Sequence, residues 1–279
     1  MSPTKRAITK PLGVPGPASR GESAYPQIRF VSLVENGTHV LFASRMADYA
    51  TSEIALAKTV LPGLRQGMLC LADRGFLGFE MWKQAAVAGA DLLWRVRKNI
   101  VLPCEKRLPD GSYLSRTYAS EKDRRRGTEG IVVRVIEYRL EGVEGAEPLY
   151  RLVTTIRDHE LARAAELAAI YHERWGIETA FDELKTHLRG ASIVLRSKTP
   201  DLARQEFYGL LMAHFAGRGL MHEAALGADV DPDRVSFLHA VRVVRRKMAA
   251  FGAIPLRTGK KFHNAVLEEN SRRAGCLQP

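Results

Sequence analysis

The chain has 279 residues, of which 42 are lysine or arginine and 31 are aspartate or glutamate, so its formal net charge is +11. A composition of 46% hydrophobic and 26% charged residues is that of a globular protein and excludes collagen, coiled-coil and disordered classes. No run of about 18 apolar residues lacks a charge, which argues against a membrane protein. The positive charge favours a polyanionic partner such as nucleic acid.

Cysteine usage and the first residues indicate the compartment. The three cysteines are widely spaced and form no Cys-x-x-Cys pair, so we expect neither a disulfide framework nor a zinc site. The basic segment 1–10 has no apolar stretch behind it and is therefore not a secretory signal. Both features predict a cytoplasmic protein.

The amino-terminal part predicts an irregular arm followed by a hairpin. Residues 1–25 are rich in proline and glycine. Two β-rich runs, Ile28–Glu35 and Thr38–Ser44, are separated by Asn36-Gly37, the pair best suited to a type I′ turn.

Alternating helices and strands follow the hairpin. In order, the patterns predict a helix capped by Thr51 or Ser52, a strand Met68–Ala72, a helix Phe76–Ala88 and a strand Asp91–Val96. This order is typical of an α/β layer with a largely parallel sheet.

The rest of the chain divides into an insertion and a helical part. Alternating runs at Ile131–Leu140 and Leu149–Ile156 predict an antiparallel β insertion over 101–156. Helices are predicted over Asp158–Gly190, Asp201–Leu226 and Val235–Ala250, and the basic tail after Pro255 has no clear periodicity. The predicted segments are 1–25 (arm), 26–100 (first core part), 101–156 (insertion), 157–226 (second core part) and 227–279 (basic carboxyl-terminal helix and tail).

Two groups of residues are candidates for chemistry. Asp73 directly follows a strand, where α/β sheets place ligands, although a turn residue or helix cap would look the same. On a helix over 171–189, one stripe within about 60° holds Tyr171, Arg174, Glu178 and Lys185. It borders a predicted apolar face made of Ile170, Ile177, Phe181, Leu184 and Leu188. An ordinary surface helix with an Arg174–Glu178 pair is the alternative.

The pattern Tyr171-x2-Arg174-x3-Glu178-x6-Lys185 resembles the Tyr-Arg-Glu-Lys signature of DDE transposases of the insertion sequence 4 family. The segment 71–76, Leu-Ala-Asp-Arg-Gly-Phe, is similar to the strand end that bears this family's second catalytic aspartate. The resemblance implies an α/β fold with a ribonuclease H-like core, interrupted by a mostly antiparallel β insertion and followed by a helical part.

The resemblance also implies a mechanism. Asp73 and Glu178 would be catalytic acids that hold two Mg²⁺ ions, with Mn²⁺ as a substitute, for phosphoryl transfer at transposon ends. Tyr171, Arg174 and Lys185 would bind the phosphates of double-stranded DNA, both transposon end and target. A homodimer on DNA, associated with the bacterial nucleoid, is the implied assembly.

One expected residue is missing from the pattern. The family has a first catalytic aspartate on a strand before the hairpin, whereas the only Asp before Asp73 is Asp48, which follows the hairpin. We therefore expect a truncated copy of the transposase. The alternative is a catalytically dead DNA-binding remnant that inhibits an intact transposase. A basic metal-dependent nuclease would share the two acids but gives no account of the four-residue helix signature.

Further basic and aromatic residues allow two interpretations each. The loop that contains Arg124, Arg125 and Arg126 is predicted either to be solvated or to contact DNA. The basic cluster 242–247 is predicted either to contact DNA or to keep the protein soluble. Trp94 and Trp175 are expected in the core, with base stacking as the alternative.

Overall fold

The computed structural model describes residues 28–128, 130–140, 147–174, 176–188, 197, 199–251 and 259–275. These residues form two compact units. The first, here called the sheet unit, is Ser52–Arg174. The second, the helix–hairpin unit, consists of the described parts of Met1–Thr51 and Trp175–Pro279.

The elements follow one another along the chain in a mixed order. The strands are β1 (Ile28–Val34), β2 (Leu41–Asp48), β3 (Leu69–Ala72), β4 (Asp91–Arg95), β5 (Lys106–Arg107), β6 (Tyr113–Thr117), β7 (Ile131–Tyr138) and β8 (Tyr150–Thr154). The helices are α1 (Glu53–Lys58), α2 (Phe79–Val87), α3 (Glu121–Arg126), α4 (Ala164–Glu173), α5 (Gly176–Asp182), α6 (Pro200–Ala228), α7 (Phe237–Phe251) and α8 (Gly259–Gly275). A π-helical turn, Glu183–His187, follows α5.

The sheet unit contains one six-stranded sheet in the order β3-β4-β8-β7-β6-β5. Strands β3 and β4 are parallel, with Cys70 opposite Leu92, and the other neighbouring pairs are antiparallel. The expectation of a largely parallel sheet is therefore wrong. The predicted insertion strands do pair antiparallel, but β8 hydrogen-bonds directly to β4, so the insertion extends the α/β sheet and makes it mixed.

One part of the core of the sheet unit lies between the sheet and α4. Leu93, Ile136 and Leu152 point from three adjacent strands toward Leu167 and Tyr171 of α4, and these side chains are almost fully buried. Each such aliphatic side chain contributes about 1.5–3 kcal/mol by leaving water. The packing of α4 on the sheet follows from this burial.

Two tryptophans of the sheet unit also pack together. The Trp94 ring on β4 meets the Trp82 ring edge to face, with 5.2 Å between centroids, and both are 1% exposed. The core role predicted for Trp94 is confirmed. Trp175 lies outside the described residues.

A buried arginine fastens the start of α4 to the sheet. Arg134 on β7 is inaccessible to solvent, forms an ion pair with Asp110 and donates to the Ala162 carbonyl at 2.7 Å. Asp110 also accepts from the backbone N–H of Ala164, the first residue of α4, at 2.9 Å. A buried guanidinium is stable only when most of its donors are satisfied in this way.

The single helix predicted over Asp158–Gly190 is two helices that belong to different units. Helix α4 ends at Glu173 and α5 begins at Gly176, a residue whose helix propensity is about 1 kcal/mol below that of alanine. The predicted apolar face is wrong at Ile170, which is 37% exposed, while Tyr171 beside it is buried. Leu184 is buried as predicted.

The β1–β2 hairpin has a longer loop than Asn36-Gly37 predicts. Strand β2 begins at Leu41 because the Glu35 carboxylate accepts the N–H groups of Gly37 and Thr38, and His39 takes the left-handed conformation (φ 55°). The type I′ turn is therefore not formed.

Helices α6, α7 and α8 build the rest of the helix–hairpin unit. Met221 and Ala225 of α6 pack against Phe237 and Val241 of α7. The tail, for which no periodicity was expected, forms α8, in which Val266 and Asn270 are buried four residues apart. Among the helices in the described part of the chain, none is long and apolar enough to cross a membrane.

Candidate functional site at the edge of the sheet

The carboxyl ends of the parallel strands β3 and β4 meet at one edge of the sheet. Asp73 follows Ala72, and Ala72 lies opposite Trp94 in the register of the two strands. The backbone N–H of Phe76 donates to the Asp73 carbonyl at 3.0 Å, so Asp73 begins a turn while its side chain stays partly exposed. This edge is the usual place for ligands in parallel α/β arrangements.

Tyr171 reaches this edge from α4. Its hydroxyl donates to the Ala72 carbonyl oxygen at 3.3 Å, and its side chain is buried. Burial raises the pKa of Tyr171 to about 12; the nearby Arg174 charge opposes this rise and the Asp73 carboxylate adds to it. The phenol is therefore neutral at physiological pH and acts as a hydrogen-bond donor.

Arg174 stands at the carboxyl-terminal end of α4, directly after its last residue. The central carbon of its guanidinium lies 5.7 Å from the centroid of the Tyr171 ring. The structure thus brings together Asp73, Tyr171 and Arg174, three of the five residues that the sequence singled out. An acidic, a phenolic and a guanidinium group at one sheet edge suit a site that handles both a cation and a phosphate.

The other two predicted site residues belong to the helix–hairpin unit. Glu178 lies on α5 with an exposed side chain, and Lys185 lies in the π-helical turn. In this turn the Leu188 N–H donates to the carbonyl of Glu183, five residues earlier, at 2.8 Å. The regular 100° spacing that predicted one stripe from Tyr171 to Lys185 is therefore interrupted twice, between α4 and α5 and again after Asp182.

A buried ionic cluster beside this turn was missed by the sequence reasoning. Glu183 is 5% exposed and accepts from Arg218 Nε at 2.9 Å and from His214 at 3.1 Å. Burial opposes ionisation, but the His214 hydrogen bond and the Arg218 charge lower the pKa of Glu183 to about 2. Arg218 also donates to Nδ1 of His39. The partners come from α6 and the hairpin loop, so no local pattern announces this cluster.

Basic side chains surround the candidate site in the sheet unit. Arg74 follows Asp73, Arg95 is the last residue of β4, and Lys98 lies three residues after it. All three form ion pairs with Glu147, which lies just before β8. The sequence offers a signal for them, because all three lie within three residues of the carboxyl-terminal end of β3 or β4.

Other predicted basic contacts have protein partners. The predicted loop at Arg124–Arg126 is instead part of helix α3, where Glu121 pairs with Arg124 and Arg125. In the basic cluster of α7, Arg246 and Lys247 pair with Glu269 of α8.

The candidate acids are of the ligand type that suits a hard divalent cation, but in the described part of the chain there are too few of them for a complete metal site. Across the residues that the structure describes, no group of three or more His, Cys, Asp or Glu side chains could hold a metal ion. Asp48 is occupied in a turn, where it accepts from the N–H and hydroxyl of Thr51 at 2.9 and 2.7 Å. Asp73 and Glu178 each carry carboxylate oxygens, the ligand type that such a cation prefers.

Comparison with known proteins gives a consistent result. The family model described as "Transposase DDE domain" matches residues 9–216. The chain is 27% identical over 239 residues to the transposase InsG for insertion sequence element IS4 of Escherichia coli K12, an alignment that covers 83% of this chain and 53% of that protein. It is 26% identical over 93 residues to the putative transposase InsZ of the same organism, covering 33% and 31%. The chain therefore spans about half the length of InsG, the longer of the two matches.

Proposed function

Because the chain belongs to the transposase DDE domain family, we propose that it acts on an insertion sequence, cleaving and joining DNA strands at transposon ends by metal-dependent phosphoryl transfer. The observation that carries this proposal is the convergence of Asp73, Tyr171 and Arg174 at one edge of the sheet. A ribonuclease H-like core belongs to the proposal, supported by the parallel β3–β4 pair that ends at Asp73.

Membership of this family implies dependence on divalent metal ions in general. In our proposal, Asp73 and Glu178 hold Mg²⁺, or Mn²⁺ in its place, because carboxylate oxygens are the ligands that Mg²⁺ prefers. The bound ions would activate the attacking oxygen and stabilise the leaving oxygen.

The DNA contacts follow from the charges at the site. Arg174 suits bidentate contact with a phosphate, and Lys185 suits a point-charge contact. Tyr171 is buried, so in our proposal it supports DNA binding indirectly. Its hydroxyl holds Ala72, and with it Asp73, in place at the sheet edge. Double-stranded DNA, as transposon end and as target, is the proposed partner, in the cytoplasm at the bacterial nucleoid.

A homodimer on DNA is also proposed, and one surface of α6 supports it. The seven exposed residues of α6 between positions 208 and 219 carry no charge and form an apolar face. They are Tyr208, Gly209, Met212, Ala213, Phe215, Ala216 and Gly219. In the proposed dimer, a second copy of α6 would cover this face. Large contiguous apolar surfaces mark interaction sites.

The second candidate function is a DNA-binding remnant that cannot cleave but inhibits an intact transposase. The observation in its favour is that Asp48, the only aspartate before Asp73, accepts from the N–H and hydroxyl of Thr51 in a turn. This form predicts salt-sensitive DNA binding without nicking.

Cleavage of a labelled duplex that carries the element's own end, with Mg²⁺ or Mn²⁺, separates these functions. For the transposase we expect nicking that Glu178→Ala abolishes, whereas Glu173→Ala, an exposed glutamate near the end of α4, leaves it within about twofold. Binding without nicking would favour the remnant. Absence of binding even at low salt would contradict both.

A further inference from the structure

Three cations of the sheet unit converge on one carboxylate. Glu147 Oε1 lies 2.7 Å from Arg95 Nη2 and 3.0 Å from Arg74 Nη1, and Oε2 lies 3.5 Å from Lys98 Nζ. Burial opposes ionisation, but the charges of Arg95, Lys98 and Arg74 lower the pKa of Glu147. The carboxylate is thus ionised at neutral pH, and the cluster keeps two uncompensated positive charges.

The inner part of the cluster is rigid. The Arg95 guanidinium is stacked at 4.7 Å on the ring of Tyr150, which in turn stacks on Tyr138 with 5.3 Å between centroids. The Tyr150 hydroxyl accepts the backbone N–H of Glu147 at 3.2 Å. Arg95 is therefore held in place at one side of Glu147, and its side chain is only 16% exposed.

The outer part combines a hydrogen-bonded backbone with exposed side chains. Arg151 donates to the carbonyls of Arg97 and Lys98 at 3.1 and 3.2 Å, and Arg97 Nε donates to the Arg74 carbonyl at 3.0 Å. The Arg74 and Lys98 side chains are nevertheless 50% and 69% exposed. A ligand from solvent can therefore reach two of the three cations without unfolding any element.

We propose that Arg74, Arg95 and Lys98 form a binding site for a backbone phosphate of DNA, and that Glu147 occupies this site in the free protein as an internal competitor. The two carboxylate oxygens of Glu147 take the positions that two non-bridging phosphate oxygens would take between these donors. DNA binding then displaces Glu147 from the cations. This inference rests on the proposed function, since it assigns a DNA contact next to Asp73.

The competition has a measurable consequence. Glu147→Gln removes the competing charge and keeps the size of the side chain, so the Kd for a short labelled duplex should fall about fivefold at low salt. EDTA is included, so that neither cleavage nor a metal contributes.

The matched control is Glu105→Gln. Glu105 forms an exposed ion pair with Arg116 at 3.3 Å in the same unit, so this variant makes the same change in net charge at another place. We expect it to change Kd less than twofold. Equal effects of the two variants would overturn the proposal, because net charge alone would then explain the gain.

A double variant, Arg74→Ala with Lys98→Ala, tests whether the gain passes through the cluster. It should weaken binding, and the fivefold gain from Glu147→Gln should vanish in this background. A gain that persists would contradict the proposal. Thermal unfolding of each variant verifies folding.

These outcomes are separate from the fate of the proposed activity. If Glu147→Gln binds DNA more tightly but the protein does not nick DNA, the result supports the phosphate site and contradicts the proposed transposase activity. If the protein nicks DNA but Glu147→Gln behaves like Glu105→Gln, the result supports the transposase activity and contradicts the phosphate site.

Discussion

The hydroxyl of Tyr171 donates a hydrogen bond to the carbonyl oxygen of Ala72 at 3.3 Å, although the two residues are 99 positions apart in the chain. This bond links the last turn of α4 to the end of β3, directly before Asp73. Because burial keeps the phenol neutral, the donor is present over the whole physiological pH range. The position of the candidate catalytic carboxylate therefore depends on a residue outside its own strand.

Tyr171→Phe keeps the buried ring and removes only this donor. We expect the free energy of unfolding to fall by about 0.5–1.5 kcal/mol, the net value of one hydrogen bond, and nicking to slow because Asp73 is held less firmly. Urea unfolding and the nicking assay measure the two effects. Tyr208→Phe on the exposed face of α6 is the control, and unchanged values in both variants would count against a positioning role.

The buried Arg134–Asp110 pair should be important for stability. Arg134→Met leaves Asp110 without its cation and several carbonyls without a donor, so we expect a loss of about 3 kcal/mol in urea unfolding. The exposed Arg116→Met, which breaks only its pair with Glu105, should cost less than about 1 kcal/mol. Similar losses in the two variants would disprove the special role of Arg134.

Stability should depend on acid through Glu183. Its pKa is about 2 in the folded protein and 4.5 as the unperturbed value, so its stabilising contribution is complete above pH 4.5 and is lost as the pH falls toward 2. The full contribution is about 3 kcal/mol. In Glu183→Gln we expect a flatter fall of unfolding free energy over this range, measured by urea titrations at several pH values. An unchanged pH profile would show that other carboxylates cause the acid sensitivity.

The apolar face of α6 should control self-association. Phe215→Glu places a charge at the centre of the proposed contact between two copies. We expect the dissociation constant of the dimer to rise at least about tenfold, measured by light scattering after size exclusion. Val87→Glu changes an exposed apolar residue of α2 and should leave association as it is. A wild-type protein that is monomeric both alone and on DNA would refute the dimer.

Local patterns in the sequence predicted much of the strand and helix content and part of the site. The run Met68–Ala72 followed by Asp73 predicted a strand that ends at an acidic residue, and the structure has β3 there. Ser52, one of the two predicted caps, is the observed cap of α1. Both features depend on neighbouring residues and can therefore be predicted from local sequence. The Tyr-Arg-Glu-Lys spacing indicated the family before any fold was known. A Trp94 core role followed from its apolar strand.

Only the tertiary structure decided which charged residues are buried and what they contact. The buried Glu183 and its partner Arg218 lie 35 positions apart in the chain, and Glu147 and Arg74 are 73 positions apart. The same holds for β8, whose antiparallel pairing with β4 made the sheet mixed. Periodicity reports which face of an element is apolar, but the free energy of a buried charge depends on partners that only the folded chain brings within a few ångströms.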